Sequence, residues 1–188
     1  MHPKLLLTSF ETWLPHQKSN TSDDLLGEVS RLESFPPNCT LLRKLPVENQ
    51  LATDRVLAAI ETRQPTGIIC CGMAEKRSQL TVESQATRGK DTLPTTVNLE
   101  KLVAKLTVTA ISDDAGDFVC NYLYYSVLEY LHRRNLSTPC LFVHVPLFDA
   151  GNLAPIIADF TVICQELEEL VSVESKSADL PLAQSECA

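Results

Sequence analysis

Two stretches of the chain hold residue types suited to nucleophilic chemistry. One is Asp113-Asp114-Ala115-Gly116-Asp117-Phe118-Val119-Cys120-Asn121-Tyr122, and the other is Leu141-Phe142-Val143-His144-Val145-Pro146, about one helix further on. Asp113, Asp114 and Gly116 read as a turn into a helix start, because short polar side chains and glycine satisfy or relieve the first unpaired backbone amides. Cys120 then falls in the first helical turn, where amide dipoles and free N–H groups favour a thiolate, the reactive form of cysteine. His144 sits among alternating apolar and β-branched residues, as in a buried strand that delivers a side chain to a site at its C-terminal end. The pair implied is a cysteine nucleophile with a histidine base.

The other cysteines and histidines have plainer readings. Cys70 and Cys71 lie in an apolar strand, Cys164 on the apolar side of a helix and Cys140 at a strand start, all places for a small buried hydrophobe, while Cys39 and Cys187 fall in loop and tail. His2 and His16 sit in exposed-looking segments, and His132 with Arg133 and Arg134 suits the negative end of a helix. Seven cysteines, an odd number without CxxC or CxxH spacing, suggest neither a disulfide framework nor a metal site. Reduced thiols and a leucine run too short for a secretory signal lead to the expectation of a cytoplasmic protein. No run approaches membrane-spanning length, and the net charge of −8 argues against a nucleic-acid surface.

The positioning elements follow from patterning. With 188 residues, 44% of them hydrophobic, one α/β domain over residues 1–170 is expected. Lys4 to Phe10 is a leucine-rich strand, followed by a loop with Trp13 and Pro15. A helix capped near Asn20-Thr21-Ser22 carries Leu25, Leu26, Val29 and Leu32 at the 3.6 period and ends at Pro36-Pro37. Thr40 to Leu45 is a second strand. Pro46 opens a helix that stops before Pro65, and Gly67 to Gly72 is an unbroken apolar run suited to a central parallel strand. Three β-α repeats indicate a mostly parallel twisted sheet with helices on both faces.

Ser78 to Ala86 alternates, with Leu80, Val82 and Ser84 on one face and Thr81, Glu83 and Gln85 on the other, so it reads as a strand with one largely polar face on which Glu83 stands out. A loop from Thr87 to Asp91 leads to a helix over 98–105 and a strand over 107–111. The Cys120 helix runs to about Arg134, and after the His144 strand comes a last helix from about Asn152 to Leu170. Residues 171–188, rich in Ser, Glu and Ala without periodicity, read as a disordered or weakly ordered tail.

Ala115-Gly116-x-Phe118-Val119-Cys120-Asn121 and Phe142-Val143-His144-Val145-Pro146 resemble the active-site segments of the pyroglutamyl peptidase I family, the pyrrolidone-carboxylate cysteine exopeptidases. The resemblance runs in order along most of the chain. Leu5-Leu6-Leu7-Thr8-Ser9-Phe10-Glu11 is similar to the family's opening strand, Leu45-Pro46-Val47 to the motif after its second strand, and Gly72-Met73-Ala74 through Arg77 to its Gly-x-Ala-x-x-Arg turn. Glu83 lands on the family's catalytic glutamate. The resemblance implies a three-layer α/β sandwich of the phosphorylase/hydrolase-like kind and a Cys120-His144-Glu83 constellation. It further implies a substrate pocket drawn from Phe10, Trp13, Phe118 and Met73, no metal or organic cofactor, a peptide substrate with N-terminal pyroglutamate, and a homodimer or homotetramer.

Two segments depart from the family. Trp13-Leu14-Pro15 replaces a Phe-Gly-Gly turn, and the segment after Glu83 is short and holds only Arg88, at roughly half the family's spacing for an oxyanion arginine, so Arg88 is given no role. A divergent cysteine hydrolase of other amides and a non-catalytic binding homologue therefore stand beside the peptidase reading. A metal enzyme or phosphate-binding protein is disfavoured by the lack of a Gly-rich loop or ligand cluster.

Overall fold

Periodicity of two along the apolar strands dictates a sheet covered on both faces, and the computed structural model, which describes residues 4–178, has that form. The strands are β1 (Leu5–Phe10), β2 (Cys39–Leu45), β3 (Gly67–Met73), β4 (Leu80–Glu83), β5 (Gln85–Arg88), β6 (Asp91–Pro94), β7 (Thr109–Ser112) and β8 (Cys140–Val145). The helices are α1 (Thr21–Val29), α2 (Asn49–Arg63), α3 (Leu99–Val103), α4 (Val119–Arg133) and α5 (Leu153–Ala178). Six strands form one sheet in the order β2-β1-β3-β8-β4-β7, and β5 and β6 form a separate two-stranded ribbon. β2, β1, β3 and β8 are mutually parallel; β4 runs antiparallel to β8 and parallel to β7. The sheet is thus mixed but mostly parallel.

Alternation sorts the side chains. Leu5, Leu7, Ile69, Cys71, Leu80, Val82, Leu141 and Val143 pack with Leu25 of α1, Leu102 of α3 and Phe160 of α5. Leu6, Phe10, Ile68, Cys70, Cys140 and Phe142 pack with Val56 of α2 and Leu123 and Tyr124 of α4. By the same parity, Gly72 follows Cys70, His144 follows Phe142, and Thr81 and Glu83 lie opposite Leu80 and Val82, so all four face α4. Cys70, Cys71, Cys140 and Cys164 are buried, as their apolar surroundings predicted, whereas Cys39 opens β2 instead of lying in a loop, and its half-buried thiol is pushed up to about 12 by burial and then by Glu168.

Several boundaries differ from the sequence reading: α1 ends at Val29, well before the expected stop at Pro36-Pro37, so Leu32 lies outside it and is 39% exposed. α2 begins at Asn49, three residues after Pro46, because the Glu48 side chain caps it by accepting from the amides of Gln50 and Leu51. Residues 80–94 form β4 and then the β5–β6 ribbon, where a strand over 78–86 and a loop over 87–91 were expected. α5 continues to Ala178, eight residues past the expected end at Leu170, so 171–178 are helical and not a disordered tail; 179–188, with Cys187, and His2 lie outside the described residues.

Asp159 ties α5 to the start of β7. It is 3% exposed, and its carboxylate accepts from the amides of Thr107 (3.0 Å) and Val108 (2.8 Å) and from the hydroxyls of Thr107 (2.8 Å) and Thr109 (2.7 Å). Burial pushes its pKa up, but these bonds outweigh it and hold the carboxyl below its usual range. A depressed folded pKa contributes stability that is present above the unfolded value and lost as pH falls through the folded one. Asp159→Ala is therefore expected to cost about 2–3 kcal/mol at neutral pH, since several bonds to a charged acceptor vanish together. Urea midpoints check this: the gap between wild type and variant should shrink below about pH 4, and a gap that stays constant down to about pH 3 would overturn the assignment.

Candidate active site

The turn before α4 is built from short polar side chains. Ser112 Oγ accepts from the amide of Asp114 (3.2 Å), Asp114 Oδ1 accepts from the amide of Gly116 (2.8 Å), and Gly116 adopts a φ of 80°, which a side chain would strain. α4 then begins at Val119, so Cys120 is its second residue, in the first turn as expected. The Cβ position of Gly72 lies 2.6 Å from Cys120 Sγ and 3.0 Å from Phe142 Cζ; only a glycine on β3 leaves room for the sulfur between strand and helix.

Antiparallel pairing brings the acid to the base. Thr81 stands opposite His144 across β4 and β8, which makes Glu83 the diagonal neighbour of His144 on the same face, within reach of a long side chain. His144 Nδ1 and Glu83 Oε1 are 2.7 Å apart, in surroundings where Glu83 is fully buried and His144 is 5% exposed. With Nδ1 committed to the carboxylate, Nε2 is the ring nitrogen left to exchange protons. Tyr124 of α4 donates to the Glu83 carbonyl (3.1 Å), fixing the end of β4 against the nucleophile's helix.

Arg77 completes the cluster. Its Nη1 donates to Glu83 Oε1 at 2.5 Å and to Thr81 Oγ1, and its Nη2 donates to the carbonyl of Asp114 at 2.6 Å. One guanidinium therefore joins the acid strand to the turn in front of Cys120. Oε1 of Glu83 receives Arg77, Thr81 (3.1 Å) and His144, while Oε2 is buried without a partner among the described residues. The sequence marks Arg77 only as part of a motif; its role needed the fold.

The thiolate expectation for Cys120 is corrected. Burial, then the nearby Glu83 carboxylate and Cys70, push the thiol up to about 12, and Arg77 and the helix-start amide offset this only in part. A helix dipole is weaker than desolvation beside a carboxylate, so the resting group is a thiol. Alkylation of Cys120 by iodoacetamide, followed by mass spectrometry of its peptide, should accelerate continuously between about pH 7 and 10. A rate already level by about pH 7 would mean a preformed thiolate–imidazolium pair.

Cys120 and His144 share a cleft of about 480 Å³ with Phe10, Trp13, Met73 and Phe118, so the four expected pocket residues line one space with the two reactive ones. Phe10 and Met73 are buried and form its inner wall, whereas Trp13 (37% exposed) and Phe118 (54%) face each other at the mouth, ring centroids 6.2 Å apart. Asn20, Val47, Glu75 and Arg77 also line it. Arg88 does not reach it: the guanidinium lies over the rings of Tyr125 (4.1 Å) and Tyr122 (5.2 Å) and donates to Ser126 and Glu129. Asn121 holds the same ribbon by pairing with both backbone groups of Thr87, each at 2.8 Å. His16 is exposed and His132 occupies the last turn of α4.

Comparison with known proteins agrees with this geometry. A family model described as pyroglutamyl peptidase matches residues 90–156, the segment that carries Cys120 and His144. Pyrrolidone-carboxylate peptidases of Brevibacillus brevis and Vibrio vulnificus are 28% and 29% identical over 168 and 170 residues, covering 76% and 77% of this chain and 77% and 78% of theirs. Among solved structures, pyroglutamyl peptidase I of Bacillus amyloliquefaciens superimposes with a TM-score of 0.75 at 22% identity, over 89% of this chain and 96% of its own. The pyrrolidone carboxyl peptidase of Thermococcus litoralis does so with 0.71 at 22%, over 96% and 100%. The relatives, the matched segment and the shared fold agree: this chain is similar to the pyroglutamyl peptidases in sequence over about three quarters of its length, and it has their fold.

Proposed function

We propose that the protein is a cysteine exopeptidase that removes an N-terminal pyroglutamyl residue from peptides, with Cys120 as nucleophile, His144 as proton carrier and Glu83 as the group that orients and charges the imidazole. The observation that carries this reading is the buried Glu83–His144 contact opening onto the same cleft as Cys120. The resting thiol is neutral, so attack and proton transfer go together: Nε2 takes the thiol proton as sulfur bonds to the pyroglutamyl carbonyl carbon. Negative charge gathers on the carbonyl oxygen, and the unpaired amides at the start of α4 supply donors for it.

Collapse breaks the C–N bond, and the leaving amine takes the proton from Nε2. The resulting thioester is cleaved by water, which gives a proton to Nε2 as it attacks; the C–S bond breaks, and the departing thiolate recovers that proton from Nε2. The Glu83 carboxylate stabilises the imidazolium formed in each half-reaction. Phe10, Met73, Trp13 and Phe118 offer apolar and aromatic surface for a flat lactam ring, and the remaining cleft, lined by Glu75, Arg77 and Asp114, receives the leaving peptide. No described helix is long and apolar enough to cross a membrane.

The test is hydrolysis of pyroglutamyl-aminomethylcoumarin by purified protein under reducing conditions, beside Cys120→Ala and a panel of other aminoacyl-coumarins. Turnover of the pyroglutamyl compound alone, lost in the variant, is the expected result. Turnover of a different amide would assign the site to another substrate, and no turnover of any compound would leave a binding role.

A further inference from the structure

Residues 11–19 cross the mouth of the cleft, and eight of the nine are exposed; only Gln17 is half-buried. The base of the segment is held by the Glu11 amide on the Leu45 carbonyl (2.9 Å) and by Asn20 Nδ2 on the Glu11 carbonyl (3.0 Å). Its apex is closed by Gln17. Oε1 accepts from the amides of Trp13 (2.9 Å) and Leu14 (3.1 Å), the backbone N–H reaches the Leu14 carbonyl (3.1 Å), and Nε2 donates to Glu75 Oε1 at 2.7 Å. Glu75 sits on the turn after β3 that also carries Arg77.

We infer that Gln17 is a positioning residue that sets the cleft's grip on a flat lactam, by tying the Trp13 turn to Glu75 and so holding the indole opposite Phe118. The inference rests on the reading proposed above. A carboxamide suits this place because one end accepts two amides while the other donates to a carboxylate 58 residues away. Trp13 and Phe118 are both exposed, so their mutual contact alone is a weak restraint on a segment of this freedom. Binding a ring between them costs less when the wall is already in place.

Trp13 is the single tryptophan of the chain, so intrinsic fluorescence reports this wall directly. In Gln17→Ala, acrylamide quenching of Trp13 should rise about twofold, and KM for pyroglutamyl-aminomethylcoumarin about tenfold, with kcat within about twofold of wild type, as expected when binding rather than chemistry is lost. Glu75→Ala should reproduce the rise in quenching. Glu75→Gln, whose amide oxygen still accepts from Gln17, should return the acrylamide quenching of Trp13 to the wild-type level. Unchanged quenching and KM in Gln17→Ala, or a fall in kcat that matches the rise in KM, would overturn the inference. Absence of pyroglutamyl turnover in wild type would sink the proposed function alone. Titration of Trp13 fluorescence with 2-pyrrolidone, a bare lactam, then still decides the role of Gln17: weaker binding in Gln17→Ala than in wild type is expected, and equal affinity would refute it.

Discussion

Gly72→Ala is expected to abolish turnover while leaving the protein folded. The added methyl would lie 2.6 Å from Cys120 Sγ, and its next neighbour is the Phe142 ring, itself packed against His144 with centroids 4.8 Å apart. The ring sits in the core on the α4 side, so the half-buried thiol, which has the cleft on one side, is the partner that rotates away. Displacing a reacting atom by about 1 Å costs on the order of 10²-fold in rate, and a rotamer change moves sulfur further than that. The stability cost stays near 1–3 kcal/mol, typical of one extra methylene in a packed site. A cooperative melting curve shifted down by about 2–12 °C, with kcat reduced at least 10²-fold, is the outcome that fits; near-normal kcat would show that Cys120 reacts from a different rotamer than the one seen here.

Glu83 offers the second large effect, and the asymmetry of its two oxygens lets two roles be separated. All three donors, from Arg77, Thr81 and His144, converge on Oε1. Glutamine can keep its carbonyl oxygen at that place, so Glu83→Gln preserves the imidazole's orientation and removes only the charge. A charge about 5 Å away at an effective dielectric of about 20 is worth about 3 kcal/mol, or roughly 10²-fold in kcat. Glu83→Ala removes orientation as well and should cost roughly 10³–10⁴-fold, the scale seen when a triad acid no longer holds its histidine. It should also destabilise by about 3–5 kcal/mol, because the Arg77 guanidinium loses its buried partner. Single-turnover rates for both variants decide the matter: equal losses would mean that orientation counts for nothing, and wild-type rates in Glu83→Gln would remove the charge from the mechanism.

Much of this site was legible because it rests on local chemistry. The Asp113-Asp114-x-Gly116 turn put a helix start close to Cys120, although α4 is capped at Phe118 and those side chains bond amides of the turn and not of the helix; period-two alternation placed Glu83 on the polar face of its strand before any partner was known. What escaped depended on partners far along the chain or on competing energies. Gln17 is one polar residue in a polar loop, and its meaning lies in Glu75. Arg77 became a hub only when β4 and the turn before α4 were set beside it. The β5–β6 ribbon lacks the apolar alternation of a buried hairpin; its signal was the Gly89-Lys90 pair between Arg88 and Asp91, with Gly89 at a φ of 64°. The thiolate was misjudged because sequence reveals a helix start but not the depth at which it is buried.

The place of β8 in the sheet has a consequence for biosynthesis. This strand is the last of the eight to be made, yet it lies between β3 and β4 and joins β2-β1-β3 to β4-β7. Until residues 140–145 leave the ribosome, the two halves share no hydrogen bonds within the sheet and each presents an unpaired edge, the feature that most readily recruits another chain. His144 arrives on that same strand. The step that joins the sheet therefore also brings the histidine to the glutamate, so a nascent chain that stalls earlier is at once open to aggregation and chemically inert.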